Sequence, residues 1–321
     1  MMRLSTRILC LLGLALVSAC SKSEVDKPVG SISFAPVAAK ATKAIIAGTT
    51  YPVDESFVVS AYRSAGEAYF EDLTATYSSS MSLWETTDAQ FWPLGGSLDF
   101  IAYSPASAGL TIASGGVSAE SYTITTAAQM TTDLCYASAS VADCANHPDS
   151  VPLTFSHALS QVVFRVKAAG YYSTASSTVT LSMTSLALKG IYSVGDLNQG
   201  TWENLGSEHN YTLSGTPTEL TYNGSNQPET VDVCAYLFLP QELGPNAAIS
   251  VGYNIVQRVS GTDYTLENTP VTIPLGSSLT QWEPGKKYIY TLNIGMNNVI
   301  TFTASTVGWQ DDGDNIIVEE N

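Results

Sequence analysis

The sequence predicts an all-β protein built as two tandem β-sandwich domains, and three observations carry that prediction. Apolar and polar residues alternate at a period of two in several separated windows. Turn residues fall between those windows at sandwich spacing, and no window holds a sustained apolar 3.6 period with caps. In Val162-Val163-Phe164-Arg165-Val166-Lys167, the residues Val162, Phe164 and Val166 share one face and Arg165 and Lys167 the other, as a half-buried strand requires. Ile249, Val251, Tyr253 and Ile255 repeat the pattern, as do Tyr288, Tyr290, Leu292 and Ile294. The run from Val231 to Leu239 alternates less cleanly, which predicts a strand covered on both faces and ended by Pro240.

The turn signals are Gly95-Gly96, Gly115-Gly116, Asn223-Gly224, Gly261-Thr262-Asp263, Pro284-Gly285 and Asn297-Asn298. One short helix-like piece runs from His157 to Val162 and merges into the following strand. The polar stretch from Asn198 to Pro228 is the best junction, with room for a strand around Thr218 to Tyr222. The expected domains are therefore residues 31–205 and 206–321. Strand order is not fixed by these signals.

Hydrophobic residues make up 45% of the 321 residues, enough to build real cores, so the low charged content does not signal disorder. Against 13 Lys+Arg stand 29 Asp+Glu, a net charge of −16. Such a field repels phosphate backbones, which excludes a nucleic-acid partner.

Residues that carry chemistry are scarce. Three histidines, His147, His157 and His209, are the whole supply, and none has a second ligand at metal-site spacing along the chain. Asp311-Asp312-Gly313-Asp314 lacks the following bidentate Glu of a calcium loop and reads as a solvated acidic turn. No nucleophile elbow or phosphate cradle occurs, and Glu85, Asp88, Glu203 and Asp232 are scattered along the chain. The expectation is a binding or assembly protein, not an enzyme, with no cofactor and no metal. Cys135 and Cys144 flank a short loop, where a disulfide and two thiols packed as small hydrophobes fit equally. The five tryptophans, Trp84, Trp92, Trp202, Trp282 and Trp309, support an alternative reading as a surface glycan-binding protein, because exposed rings stack on sugars. Core packing is the plainer reading for them.

Arg3 and Arg7 precede an apolar run from Ile8 to Val17, too short to span a bilayer, and small residues follow. Val17-Ser18-Ala19-Cys20 resembles the lipobox of bacterial lipoproteins. The resemblance implies a signal peptide over residues 1–19 and lipidation of Cys20 by palmitate-class chains. Each buried methylene contributes about 0.8 kcal/mol to the anchor. Residues 20–30 are then a polar lipidated tether.

Further phrases line up in order along the mature chain: Phe91-Trp92-Pro93, Phe100-Ile101-Ala102-Tyr103-Ser104, Asp133-Leu134-Cys135-Tyr136-Ala137, the run from Val151 to Val162, the run from Trp282 to Tyr290, and Val307-Gly308-Trp309. Together with Cys20 they resemble the fimbrillin-like proteins that build type V pili and related surface lipoproteins. The resemblance implies two transthyretin-like (Greek-key) sandwich domains, an outer-membrane precursor, and partners that are other pilin subunits. It also implies a trypsin-like cut that removes the first strand, whose groove then accepts a strand from a neighbour. Ser31-Ile32-Ser33-Phe34-Ala35 matches that first strand, with Ile32 and Phe34 as its core side chains, and the cut maps to Lys43 with Lys40 second. The family more often has Arg there, which leaves a cleaved subunit and an uncleaved anchor both open. Val299 to Thr303 and Asn315 to Val318 are candidate donor segments, and Asp149-Ser150-Val151 resembles a short O-glycosylation signal.

Overall fold

A computed structural model of the chain describes residues 30–38, 51–169, 177–213, 218–222, 230–267, 270–277, 279–295 and 300–308. The first nine strands are β1 (Phe34–Ala38), β2 (Phe57–Tyr62), β3 (Ala68–Ser78), β4 (Leu83–Thr86), β5 (Leu98–Ser104), β6 (Thr111–Ala113), β7 (Gly116–Thr123), β8 (Cys135–Val141) and β9 (Val151–His157). Seven of them close into a barrel in the order β1-β4-β3-β2-β5-β8-β9. Its interior is filled by every second residue, as in β9, where Val151, Leu153, Phe155 and His157 point in and the residues between them point out.

The later strands are β10 (Ser160–Ala169), β11 (Ser177–Asn198), β12 (Thr201–Thr212), β13 (Thr218–Tyr222), β14 (Thr230–Phe238), β15 (Gln241–Glu242), β16 (Ala248–Val259), β17 (Thr262–Glu267), β18 (Val271–Pro274), β19 (Gln281–Trp282), β20 (Lys286–Gly295) and β21 (Ile300–Gly308). One sheet runs β14-β10-β20-β21, and a larger one runs β17-β16-β11-β7-β6 with β12 and β13 on β11 and β18 on β16. A single apolar cluster fills the space among them, drawing Val162, Phe164 and Val166 from β10, Ile249, Val251, Tyr253 and Ile255 from β16, and Tyr288, Tyr290, Leu292 and Ile294 from β20. The all-β sandwich architecture read from the alternation is the observed one. Among the described residues the helices are short 3-10 turns, and the segment from His157 to Val162 is extended: it ends β9 and starts β10.

The expectation of a strand covered on both faces fails for β14. Its burial deepens only at Leu237 and Phe238, and among the described residues it is an edge strand, paired along β10. An apolar run reports side-chain type but not whether a second neighbour exists.

By strand pairing, the barrel gives way to the second body between His157 and Ser160, and the crossing is pinned from both sides. Ala158 N–H donates to Leu134 O at 2.8 Å, Trp202 Nε1–H to Ala158 O at 2.7 Å, and Gly285 N–H to Leu159 O at 2.9 Å. The β6–β7 hairpin leaves the barrel to join β11, and the outer faces of β2 and β5 (Val58, Tyr62, Ile101, Tyr103) pack into the second core.

Candidate functional site

The strand β1 and the three residues before it form the candidate site. Ile32, Phe34 and Pro36 are buried, and so are Ser31 and Ser33 beside them, while Val37 is exposed, so apolar and small polar side chains alternate along a segment covered on both faces for most of its length. Phe34 is fully buried and meets the rings of Phe57 and Phe100 edge-on at 5.7 and 5.8 Å. Tyr51, the first described residue after residue 38, continues the aromatic cluster: it lies against Phe155 at 5.2 Å and Trp84 at 5.6 Å, and its hydroxyl bonds Ser104 Oγ at 2.7 Å. Burial pushes the Tyr51 phenol well above its ordinary range, so it stays a neutral hydrogen-bonding group.

The backbone of the segment bridges two edges. On one side β1 runs parallel to β9, from Phe34 opposite Val151 to Ala38 opposite Phe155. Val151 N–H donates to Ser33 O at 2.8 Å, and Ser33 Oγ–H to Asp149 O at 3.3 Å. On the other side Ile32 N–H donates to Gln90 O at 2.7 Å and Trp92 N–H to Gly30 O at 2.7 Å, but pairing with β4 is limited to Phe34 opposite Trp84. Pro36, which has no N–H, sits where that antiparallel ladder has already stopped. Ser31 Oγ is buried and finds no partner among the described residues. An unmet hydroxyl costs about 1–3 kcal/mol, so the segment is seated with a local penalty. β1 lies between β4 and β9 in the ring, so that without it these two are the free edges of an open sheet, and the slot between them is lined by the cluster that includes Phe57, Trp84, Phe100, Leu153 and Phe155.

Of the residues read from the sequence, Ile32 and Phe34 therefore lie together in the barrel interior. Cys20, Lys40, Lys43, Trp309, the acidic run from Asp311 and the donor candidate from Asn315 to Val318 lie outside the described residues. The other donor candidate falls partly in β21, the edge strand next to β20. Ser150, in the resemblance to a glycosylation signal, is half-buried beside the start of β9.

The aromatic and thiol side chains are placed as packing groups. Trp84 and Trp282 are buried, Trp202 is hydrogen-bonded at the crossing, and Trp92 stacks on His147 with ring centres 4.6 Å apart. Cys135, Cys144 and Cys234 are free thiols, so the disulfide alternative for Cys135 and Cys144 is not the one adopted.

One cluster had no signal in chain spacing. Asp133, Cys135 and His157 meet at one end of the barrel interior, with Cys135 Sγ 3.4 Å from His157 Nδ1 and Nδ1 3.0 Å from Asp133 Oδ1. Cys135 and His157 stand opposite each other on β8 and β9, and Asp133 lies two residues before Cys135. Burial first, and then the Asp133 carboxylate, push the Cys135 thiol far above its ordinary range. It therefore stays protonated and is no nucleophile, unlike the thiolates of cysteine enzymes.

The family model described as fimbrillin-like matches residues 40–309, a span that begins just after β1. Among solved structures, a fimbrial protein from Bacteroides vulgatus is similar over 86% of this chain and 99% of its own, with a TM-score of 0.61 and 18% identity. A candidate cell adhesion protein from Bacteroides uniformis is similar over 88% of this chain and 100% of its own, with a TM-score of 0.52 and 15% identity. At these identities the likeness is one of fold. No curated protein matches the chain.

Proposed function

Because the chain belongs to the fimbrillin-like family, which is not a family of enzymes, we propose that it is a structural subunit of a cell-surface fimbrium that supports adhesion. Its partners are other pilin subunits, joined by exchange of the first strand. The observation that carries this reading is the seat of β1 between β4 and β9 in the barrel, with Ile32 and Phe34 buried but the pairing to β4 limited to one pair. Losing those two side chains uncovers a slot whose refilling contributes about 3–6 kcal/mol, at about 1.5–3 kcal/mol each, and leaves unpaired backbone on β4 and β9. A strand from a neighbouring subunit satisfies both needs at once.

In this reading Cys20 carries the lipid that holds the precursor on the outer membrane, and a cut after Lys43, or after Lys40, separates β1 from the rest. The described tryptophans are engaged in packing contacts, which removes the support that the glycan-binding alternative drew from them. Mild trypsin treatment of the purified precursor tests the assembly reading. The expected result is a species beginning at Ala44, followed by ladder-like multimers that resist unheated SDS. A chain that is cut there and stays monomeric contradicts it.

A further inference from the structure

We propose that Asp133, Cys135 and His157 form a buried binding site for one divalent metal ion of the zinc class, which clips β8 to β9 at the exit from the barrel. The three side chains are each of a type zinc takes: carboxylate oxygen, thiolate sulfur and imidazole nitrogen. Two of their three donor separations already stand at ligand spacing, and the third is a few tenths of an ångström shorter. Ligands about 2.0–2.3 Å from a tetrahedral zinc lie about 3.3–3.6 Å from one another. Here Sγ is 3.4 Å from Nδ1 and 3.5 Å from Oδ1, and Nδ1 is 3.0 Å from Oδ1.

The carboxylate adds an independent observation. Both oxygens of Asp133 lie 3.0 Å from Nδ1, yet one N–H serves only one of them, and Oδ2 is buried without a hydrogen bond among the described residues. Asp133 is only 4% exposed, so an unmet carboxylate oxygen there is costly, and a cation in front of the carboxylate engages both oxygens. The charges also close. A thiolate and a carboxylate neutralise a dication, and imidazole adds none, so the loaded site is neutral in a dry interior. Binding replaces the proton on Cys135 Sγ and requires Nδ1 to offer its lone pair, so affinity rises with pH.

The register explains how the ligands converge. Cys135 and His157 are a cross-strand pair, both inward-facing, at the end of their strands where the chain crosses to the second body. An ion there ties the start of β8 to the last residue before Ala158, whose backbone is held by Leu134 and Trp202. It would fix the angle at which the barrel hands over to the next sheet.

The test uses the full mature chain in detergent, unfolded with chelator and refolded under reducing conditions with Co2+ as the spectroscopic stand-in for zinc. The expected result is one Co2+ per chain with a sulfur-to-cobalt charge-transfer band. That band is lost in Cys135→Ser and kept in Cys144→Ser and Cys234→Ser, and His157→Gln binds Co2+ roughly tenfold more weakly or worse. Because Cys135→Ser disturbs a buried position, the unaltered chain supplies a second readout: the zinc-loaded form melts higher than the chelator-treated one. A refolded chain that binds no Co2+ overturns the proposal. So does a band that survives in Cys135→Ser, or a melting temperature indifferent to zinc.

Discussion

The strands β1 and β10 have the same plan and opposite anchorage. Each runs parallel to one neighbour and antiparallel to the other, and each buries a phenylalanine completely, Phe34 in β1 and Phe164 in β10. Yet β10 is laced to β20 from Gln161 to Ala169 and to β14 from Ser160 to Lys167, whereas β1 has its full ladder on β9 only. Side-chain burial and backbone lacing are thus separable. A strand with a full ladder on one side and a single pair on the other, as proposed for β1, suits replacement by another of the same pattern better than a strand laced on both sides.

The sharpest way to break that comparison is to remove the two phenylalanines. Phe34→Ala and Phe164→Ala are each expected to cost about 3–5 kcal/mol in denaturant unfolding, because both rings are fully buried. Their repair separates them. In a chain cut after Lys43, an added peptide with the sequence of residues 30–38 restores the loss at Phe34, whereas nothing supplied in trans restores Phe164→Ala. Equal repair of both would erase the distinction.

Backbone constraint gives the next effect. Gly190, near the middle of β11, has φ +66°, and a Cβ there would stand 2.3 Å from Asn246 O. Gly30, at the start of the first described segment, has φ +88° and open space around it. Gly190→Ala should lower stability by about 3 kcal/mol, from a left-handed backbone plus a collision with main chain. Gly30→Ala carries the backbone strain alone, about 1 kcal/mol. Thermal melts of the two variants measure the gap.

These contrasts also mark what the sequence could and could not disclose. β10, β16 and β20 were legible because a buried face and a wetter face impose a period of two on side-chain type. The pattern in Ile32 and Phe34 was legible because small polar residues alternate with them. That β1 would lie parallel to β9, more than a hundred residues later, was not, because no local signal encodes which distant edge a strand meets. The same blindness hid the edge position of β14 and sent the β6–β7 hairpin, whose Gly115-Gly116 turn is plain, to a sheet that its own residues do not specify. Asp133, Cys135 and His157 escaped because register, and not spacing, brings them together.

A smaller effect, shared by both bodies, concerns alkaline pH. Burial raises the Cys234 thiol from about 9 up to about 12 and lifts the phenols of Tyr211 and Tyr290 in the second body, as it lifts Tyr51 in the barrel. These groups keep their protons when folded and release them when unfolded, so stability is complete below about pH 9 and falls as pH rises beyond it. The barrel holds Cys135 and Tyr51 in the same state, so both bodies should lose stability over the same alkaline range. Unfolding at graded pH, followed by tyrosinate absorbance, checks the fall. The smallest effect belongs to Arg258, whose guanidinium bonds Asp263 at 2.6 and 2.7 Å on an exposed hairpin. Arg258→Ala should leave the melting temperature unchanged within error, because water and salt screen such a pair.

The claim that β1 is a replaceable plug is tested most directly by hydrogen exchange of the β9 amides of Val151, Leu153 and Phe155, which point toward β1, in the chain cut after Lys43. Release of the first segment should turn these amides from slow to fast exchange, and an added strand of matching pattern should slow them again, while the β10 amides stay protected throughout. Amides of β9 that remain slow after the first segment has left would contradict the account, because the barrel would then be complete without it.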